Sequence, residues 1–329
     1  MESKTKNKQS IETLQEMVSR AFKGLKILDK EDSVIELKEG YFNVAYCIKL
    51  EDGKEVILKV APPRDAEIMS YENNIMMTEV ETMKLVKEKT DVPIPYIYYY
   101  DDSKTICNAE YFFMEKIEGT NYVSIKEKLS QKEISEIENQ LGQYNRSING
   151  ITGDYFGYNG QKESQGSSWK MVFVKLVDDL LADGVKKNVD IGLHYEQVRD
   201  LVNRFANYLE TVITPHLVHW DLWDGNIFVK NGKITGIIDF ERAMWADPLI
   251  EHYFKEADKT SDAFMKGYGK SSFSDEEIIK RVLYNIHLYL IMTIECAYRN
   301  YENDGQYNWA KEMLEKEINR INEMKPGQL

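Results

Sequence analysis

The hydrophobic period of this chain changes once, near Gly119, and that switch limits the fold more than any other feature. Strands repeat every two residues and helices every 3.6, so the apolar spacing distinguishes them. Before the switch the apolar residues come in short β-rich runs: SVIEL, NVAYCIKL, EVILKV, YIYYYD and EYFFMEKI. Asp52-Gly53 joins the second and third of these as a hairpin. Two helices are expected among them. One spans 9–23, with Ile11, Leu14, Met17, Val18 and Phe22 on its apolar side; the other spans 74–90, with Val80, Met83 and Val86 or Leu85 buried. DVPIP ends the second, because proline cannot continue a helix. After Gly119 the stripes become helical, in WKMVFVKLVDDLLADGV, HYEQVRDLVNRFANYLETVI and the segment 274–303. Ser130 with Glu133 and Ser274 with Glu277 form capping-box pairs that start helices. The Gly- and Ser-rich stretch 153–168 is expected to be a mobile loop. One strand pair, NIFVK and KITGIID, interrupts the helices across an Asn231-Gly232 turn. The expected fold is α+β with two lobes: a small antiparallel sheet lobe over 1–117, and a larger, mainly helical lobe over 118–329.

Composition removes several classes of function. A chain of 329 residues is long enough for two packed lobes. Lys and Arg number 42 against 55 Asp and Glu, a net charge of -13, with the acidic excess spread over both halves. Such a surface repels phosphate backbones and anionic lipid and suits a cationic ligand, so neither nucleic acid nor membrane is an expected partner. No apolar run reaches the length of a membrane span, and MESKTKNKQS has no signal-peptide core behind it. Cys47, Cys107 and Cys296 lie far apart with no CxxC pair, which argues for a reducing compartment and against a zinc ribbon. The expected location is the cytoplasm. The sequence carries no sign of an oligomeric state.

The polar residues around the late hairpin point to a chemistry. HWDLWDGN, 219–226, places Asp221 in a loop and Asn226 at the loop's end; Asp239 closes the partner strand in IIDFE. Antiparallel pairing brings Asn226 and Asp239 to one end of the hairpin, with the Asp221 carboxylate one loop away. Two hard oxygen ligands beside a free carboxylate suit phosphoryl transfer: Mg²⁺ on nucleotide phosphates, and a base for an incoming hydroxyl. A zinc set from His216, His219 and Asp221 is disfavoured, because the two histidines lie in a strand-like run and no third ligand has metal spacing.

On these motifs the chain resembles the aminoglycoside phosphotransferase family, kinase-like small-molecule phosphotransferases related to choline and fructosamine kinases. The likeness runs from about Glu36 to Phe254. It implies Asp221 as the catalytic base, Asn226 and Asp239 as Mg²⁺ ligands, and ATP or GTP as phosphoryl donor. Lys59 in VILKV matches the lysine on the α- and β-phosphates; its partner is Glu79, with Glu81 as the alternative. Gly40 and Asn43, within the segment Glu39–Tyr46, match the turn over the phosphates, which lacks the three glycines of a protein kinase. Met114, Glu115 and Ile117 match the adenine-binding connection. His219 and Asp247 match residues that support the catalytic loop. Trp220 replaces the family's usual glycine, so its ring either narrows the cleft or packs under the loop. The chain has no arginine in the H-R-D position, no lysine two residues after the base and no A-P-E, which favours a small hydroxyl acceptor over a protein. Aminoglycoside-like molecules, amino sugars and amino alcohols are the implied acceptors, with Tyr253 and Tyr268 as candidate lining residues. The rival reading is a catalytically silent nucleotide-binding regulator of the same fold.

Overall fold

The computed structural model describes residues 6–38, 40, 42–254, 261–301 and 303–324. Helix α1, Ile11–Ala21, starts at Ser10, whose hydroxyl accepts the Thr13 N–H. Strands β1 (Val34–Leu37), β2 (Val44–Lys49) and β3 (Glu55–Val60) follow, then α2 (Ile75–Lys89), β4 (Ile97–Asp101) and β5 (Tyr111–Glu115). The five strands form one antiparallel sheet in the order β1-β2-β3-β5-β4. The β2–β3 turn is made by Gly53, at φ 87°, a conformation open to glycine at no steric cost.

Strand parity decides what each face of this sheet carries. Val56, Leu58 and Val60 of β3, with Tyr111 and Phe113 of β5, pack with Leu14, Met17 and Val18 of α1. Ile57 of β3 and Phe112 and Met114 of β5 face the other way, onto Met76, Val80, Met83 and Val86 of α2. Lys59 shares the parity of Ile57, so it is directed to the α2 side. Helix α1 is shorter than the 9–23 expected: Ile11 is 53% exposed and Phe22 is the C-cap, its ring edge-on to Phe113 at 5.1 Å.

The chain then passes through β6 (Thr120–Asn121) into a helical lobe of α3 (Tyr122–Ile125), α4 (Gln131–Asn149), α5 (Trp169–Lys186), α6 (Tyr195–Phe205), α7 (Asp262–Tyr268), α8 (Asp275–Arg299) and α9 (Gly305–Glu323). Both expected capping boxes are present, at Ser130–Glu133 and Ser274–Glu277. Helix α8 is buried over most of its circumference and forms the lobe's centre. Between α6 and α7 lie β8 (His216–Val218), β9 (Ile227–Lys230), β10 (Lys233–Ile237) and β11 (Met244–Ala246). The β9–β10 hairpin gains β6 as a third strand.

Two expectations fail here. A second small sheet, β7-β11-β8, joins the hairpin in the helical lobe, where one strand pair was expected; its β7 is Gly157–Tyr158. The stretch 153–168 is a packed structure: Phe156 and Tyr158 are buried, and Phe156 bridges to Gly166. Its glycines serve close approach. A Cβ at Gly157, φ 115°, would lie 2.7 Å from the Ser164 carbonyl oxygen. No helix among the described residues is long and apolar enough to cross a membrane.

Candidate active site

Asn231 and Gly232, at φ 52° and 73°, form the two-residue turn that matches the twist of β9 and β10. At the other end of the hairpin the Ile238 N–H donates to the Asn226 carbonyl at 3.0 Å. Asn226 and Asp239 therefore flank one hairpin end. The loop ahead of β9 folds back on itself: the Trp223 N–H donates to the Asp221 carbonyl at 3.0 Å, and Asn226 Nδ2 to the same oxygen at 2.9 Å. That bond uses the amide nitrogen of Asn226 and leaves its side-chain oxygen as the donor available to a cation. Asp239 sits in the left-handed region, φ 71°, which aspartate tolerates better than most residues.

Two separate elements converge on Lys59 of β3. Its Nζ lies 2.6 Å from Glu79 Oε1 on α2 and 2.6 Å from Asp239 Oδ1 beyond β10. Glu79 is fully buried, and Lys59 is 8% exposed. Glu81, the alternative partner, instead accepts from Asn159 Nδ2 at 2.6 Å. Carboxylate oxygens of Glu79, Asp239 and Glu241 lie within 4.8 Å of one another, and Asn43 Nδ2 donates to Glu241 Oε2 at 2.8 Å. Gly40 precedes Asn43 in the same turn, whereas Glu39 and Tyr41 lie outside the described residues. Hard oxygen donors at this density suit Mg²⁺. Met114 is buried under the sheet, and the exposed Glu115 side chain accepts the Tyr96 N–H at 3.1 Å. Ile117 lies across the hairpin, where a Cβ on Gly236 would be 2.7 Å from Ile117 Cγ2.

Residues 33–253 match the phosphotransferase enzyme family (APH). The chain belongs to that family. A subtelomeric hrmA-associated cluster protein of Aspergillus fumigatus is 28% identical over 116 residues, covering 35% of this chain and 22% of the fungal protein. A thermostable mutant of aminoglycoside phosphotransferase APH(4)-Ia, in ternary complex with ADP and hygromycin B, superposes with a TM-score of 0.66 at 14% identity, covering 95% of this chain and 100% of that one. The streptomycin-ATP complex of APH(2")-IIa gives a TM-score of 0.60 at 17% identity, covering 97% and 98%. A fructosamine-3-kinase-like protein of Thermobifida fusca gives 0.66 at 14%, covering 94% and 100%. The fold is the kinase-like α+β fold of these small-molecule phosphotransferases, a small antiparallel sheet lobe beside a larger helical lobe.

Burial and crowding set the charges around this family's hairpin. Burial raises the Asp221 carboxyl to about 7, against the opposing charge of Arg242. Burial likewise raises Glu79 to about 7 despite Lys59. Burial would depress Lys59, but Asp239, Glu79 and Glu241 outweigh it and hold the ammonium above the usual lysine value. Asp239 is lowered, because Lys59 overcomes its burial. Glu241 is raised well above its ordinary value, by burial first and then by Asp239. Burial lowers His219 to about 4. Its Nε2 lies 2.9 Å from the Ile238 carbonyl and so carries the hydrogen of a neutral ring that ties β10 to the loop.

Asp247 does something other than expected. Its oxygens take the Leu249 N–H at 3.1 Å, the Tyr284 hydroxyl at 2.8 Å and the Lys280 ammonium at 3.2 Å, so it anchors α8. Glu251, which the sequence reading missed, holds the loop. Its Oε2 accepts the Trp220 N–H at 3.1 Å and its Oε1 the Leu222 N–H at 3.2 Å, the amides on either side of Asp221. The available signal was an acid within the largely apolar run WADPLIEHYF. Glu241 was also missed, although it stands inside IIDFE. Trp220 packs under the loop at 3% exposure, against Arg242 at 5.3 Å and His287 at 6.1 Å. Its φ of 71° is a conformation that glycine adopts without steric cost. Among the described residues His216, His219 and Asp221 do not bring their ligand atoms together as a metal set. Tyr253 bonds Asp224 and stacks on Phe264, and Tyr268 bonds Asn149 Oδ1 at 3.0 Å, so both hydroxyls have partners within the lobe.

Proposed function

We propose that this phosphotransferase-family chain moves the γ-phosphoryl group of ATP or GTP to a hydroxyl of a small polar molecule. The observation that carries the reading is Lys59, bridging Glu79 and Asp239 at 2.6 Å each beside the loop that holds Asp221. In this reading residues 1–117 form the nucleotide lobe, and 118–329 carry the catalytic loop and acceptor site. Lys59, steadied by Glu79, neutralises the α- and β-phosphates. Gly40 and Asn43 lie over the phosphates; Met114, Glu115 and Ile117 border the adenine. Asn226 and Asp239 would hold Mg²⁺, which neutralises charge on the β- and γ-phosphate oxygens. Asp221 orients the acceptor hydroxyl and takes its proton as the oxygen–phosphorus bond forms and the β–γ bridge breaks, giving a phosphate monoester and a nucleoside diphosphate. His219 and Glu251 fix the loop that presents Asp221.

The acceptor is an aminoglycoside-like molecule, an amino sugar or an amino alcohol. A net charge of -13 draws such cations in. The cysteines, none of them paired, fit a reducing cytoplasm. Screening nucleotide consumption against hydroxylated amines and sugars tests the proposal, with Asp221→Asn as its control. Turnover of a good acceptor should fall by roughly a hundredfold or more, the scale of a positioned general base, while nucleotide binding persists. A good acceptor turned over equally by the variant would refute the base assignment. A wild type that binds nucleotide but phosphorylates nothing would favour the regulator.

A further inference from the structure

Arg299 ends α8 in the helical lobe, yet its guanidinium works on the small lobe. It is 1% exposed and forks onto Glu72: Nη1 lies 3.3 Å from Oε2, and Nη2 bonds Oε1. Glu72, three residues before the start of α2, is 2% exposed, and its Oε2 also accepts the Met69 N–H at 2.8 Å. The same guanidinium lies 4.6 Å from the ring centre of Phe42. Phe42, 6% exposed, immediately precedes Asn43 in the turn that follows Gly40. One side chain of the helical lobe thus grips both the approach to α2 and the turn proposed to cover the phosphates.

Neighbouring contacts reinforce the first grip. The Ser70 N–H and hydroxyl donate to Asp183 on α5 at 2.7 and 2.8 Å. Gln161 Nε2 donates to the Tyr71 carbonyl at 2.5 Å, and Asn74 Nδ2 to the Gly160 carbonyl at 2.9 Å. The segment 70–74 is therefore bound to the helical lobe, and α2, which begins at Ile75, starts from a fixed point. Glu79 lies one turn further along and reaches Lys59, which stands on the small-lobe sheet. The relative position of lobe and sheet is thereby fed into the Lys59–Glu79 contact. Asn43, bonded to Glu241, ties the turn to the Asp239 loop in the same way.

We infer that Arg299 is a positioning residue of the nucleotide site: it sets the phosphate turn through Phe42 and the α2 glutamate through Glu72, without touching the nucleotide. The inference rests on the nucleotide reading above. The planar fork explains why arginine stands here. It can bond a carboxylate at two points while a face rests on an aromatic ring, which a lysine ammonium cannot do at once.

The test is calorimetric binding of MgADP to the full chain, with melting followed in the absence and presence of MgADP. Arg299→Lys keeps the charge and loses the fork. Phe42→Ala leaves the Arg299–Glu72 pair intact, and Phe42→Trp restores an aromatic face. Arg299→Lys and Phe42→Ala should each weaken MgADP about tenfold, within the 5–150-fold range of site-to-site coupling, while Phe42→Trp stays near wild type. A pair that only stapled the lobes together would lower the melting temperature and leave the affinity of the folded fraction unchanged. That result, or wild-type affinity in both Arg299→Lys and Phe42→Ala, overturns the inference. If Arg299→Lys does not fold, Phe42→Ala and Phe42→Trp decide the matter. A wild type that binds no MgADP overturns the nucleotide reading itself, and this inference with it.

Discussion

Glu251→Gln isolates what holds the proposed base in place. The carboxylate receives three backbone donors: Leu222 N–H at 3.2 Å and His252 N–H at 2.8 Å on Oε1, and Trp220 N–H at 3.1 Å on Oε2. Glutamine keeps one accepting oxygen and turns the other position into a donor. The better orientation keeps the two bonds to Leu222 and His252, so the Trp220 amide loses its partner and faces an NH₂ group. An unsatisfied buried amide costs about 1–3 kcal/mol. It falls on a residue already in the left-handed region, φ 71°, where a non-glycine costs a further ~1–2 kcal/mol. If the loop leaves its aligned conformation by that first amount, kcat should drop roughly five- to 150-fold. The assay is steady-state phosphorylation of an acceptor found in the screen, with MgADP affinity measured alongside. Nucleotide affinity should change little, because Glu251 contacts the base side of the loop and not the Lys59 cluster. Trp220→Gly supplies a second arm. Glycine adopts φ 71° without strain, so the fall caused by Glu251→Gln should be smaller in that background. Wild-type kcat in Glu251→Gln, or an equal fall in both backgrounds, would refute the assignment of Glu251 as the residue that aligns Asp221.

Two other predictions stand on different parts of the molecule. Asp239→Ala should abolish turnover, because the β- and γ-phosphate charge would be under-neutralised in the transition state; near-normal kcat at saturating Mg²⁺ would remove Asp239 from the metal site. Asp101, 5% exposed, accepts from Ser103, Arg20 and Tyr111, bonds that overcome its burial and lower its carboxyl to about 2 from 3.8. A lowered acid stabilises the fold above its unfolded value and loses that contribution as pH falls from about 4 to about 2, about 2 kcal/mol in all. Urea unfolding of wild type and Asp101→Asn should therefore differ at neutral pH and converge near pH 2; a constant gap across that window would refute it.

What the sequence could and could not foretell follows from the range of each interaction. Lys59 was found through the family resemblance carried by VILKV, and the structure adds the reason it faces the site: Val56, Leu58 and Val60 mark the α1 face of β3, so strand parity puts Lys59 on the opposite side. That Asn226 and Asp239 share one hairpin end was legible from the Asn231-Gly232 turn, but a bulge between Ile234 and Gly236, which the turn does not announce, shifts their pairing by one residue. Strands β7 and β11 were hidden because two or three residues cannot display an alternation, β8 showed only as a strand-like run without its partners, and the glycines that let 153–168 pack closely resemble those of a mobile loop. Arg299 and Glu72 stand 227 positions apart, and neither belongs to a motif, so no local pattern could have paired them. Glu251 was hidden by a plausible competitor: Asp247, four residues earlier, had the better motif and was given its task. The difference between the two is direction. Asp247 caps the turn at Leu249 and points to Tyr284 and Lys280 on α8, whereas Glu251, past that turn, faces the catalytic loop. Four residues of chain reverse an acid's side, and only the course of the backbone through the turn records which of the two reaches Asp221.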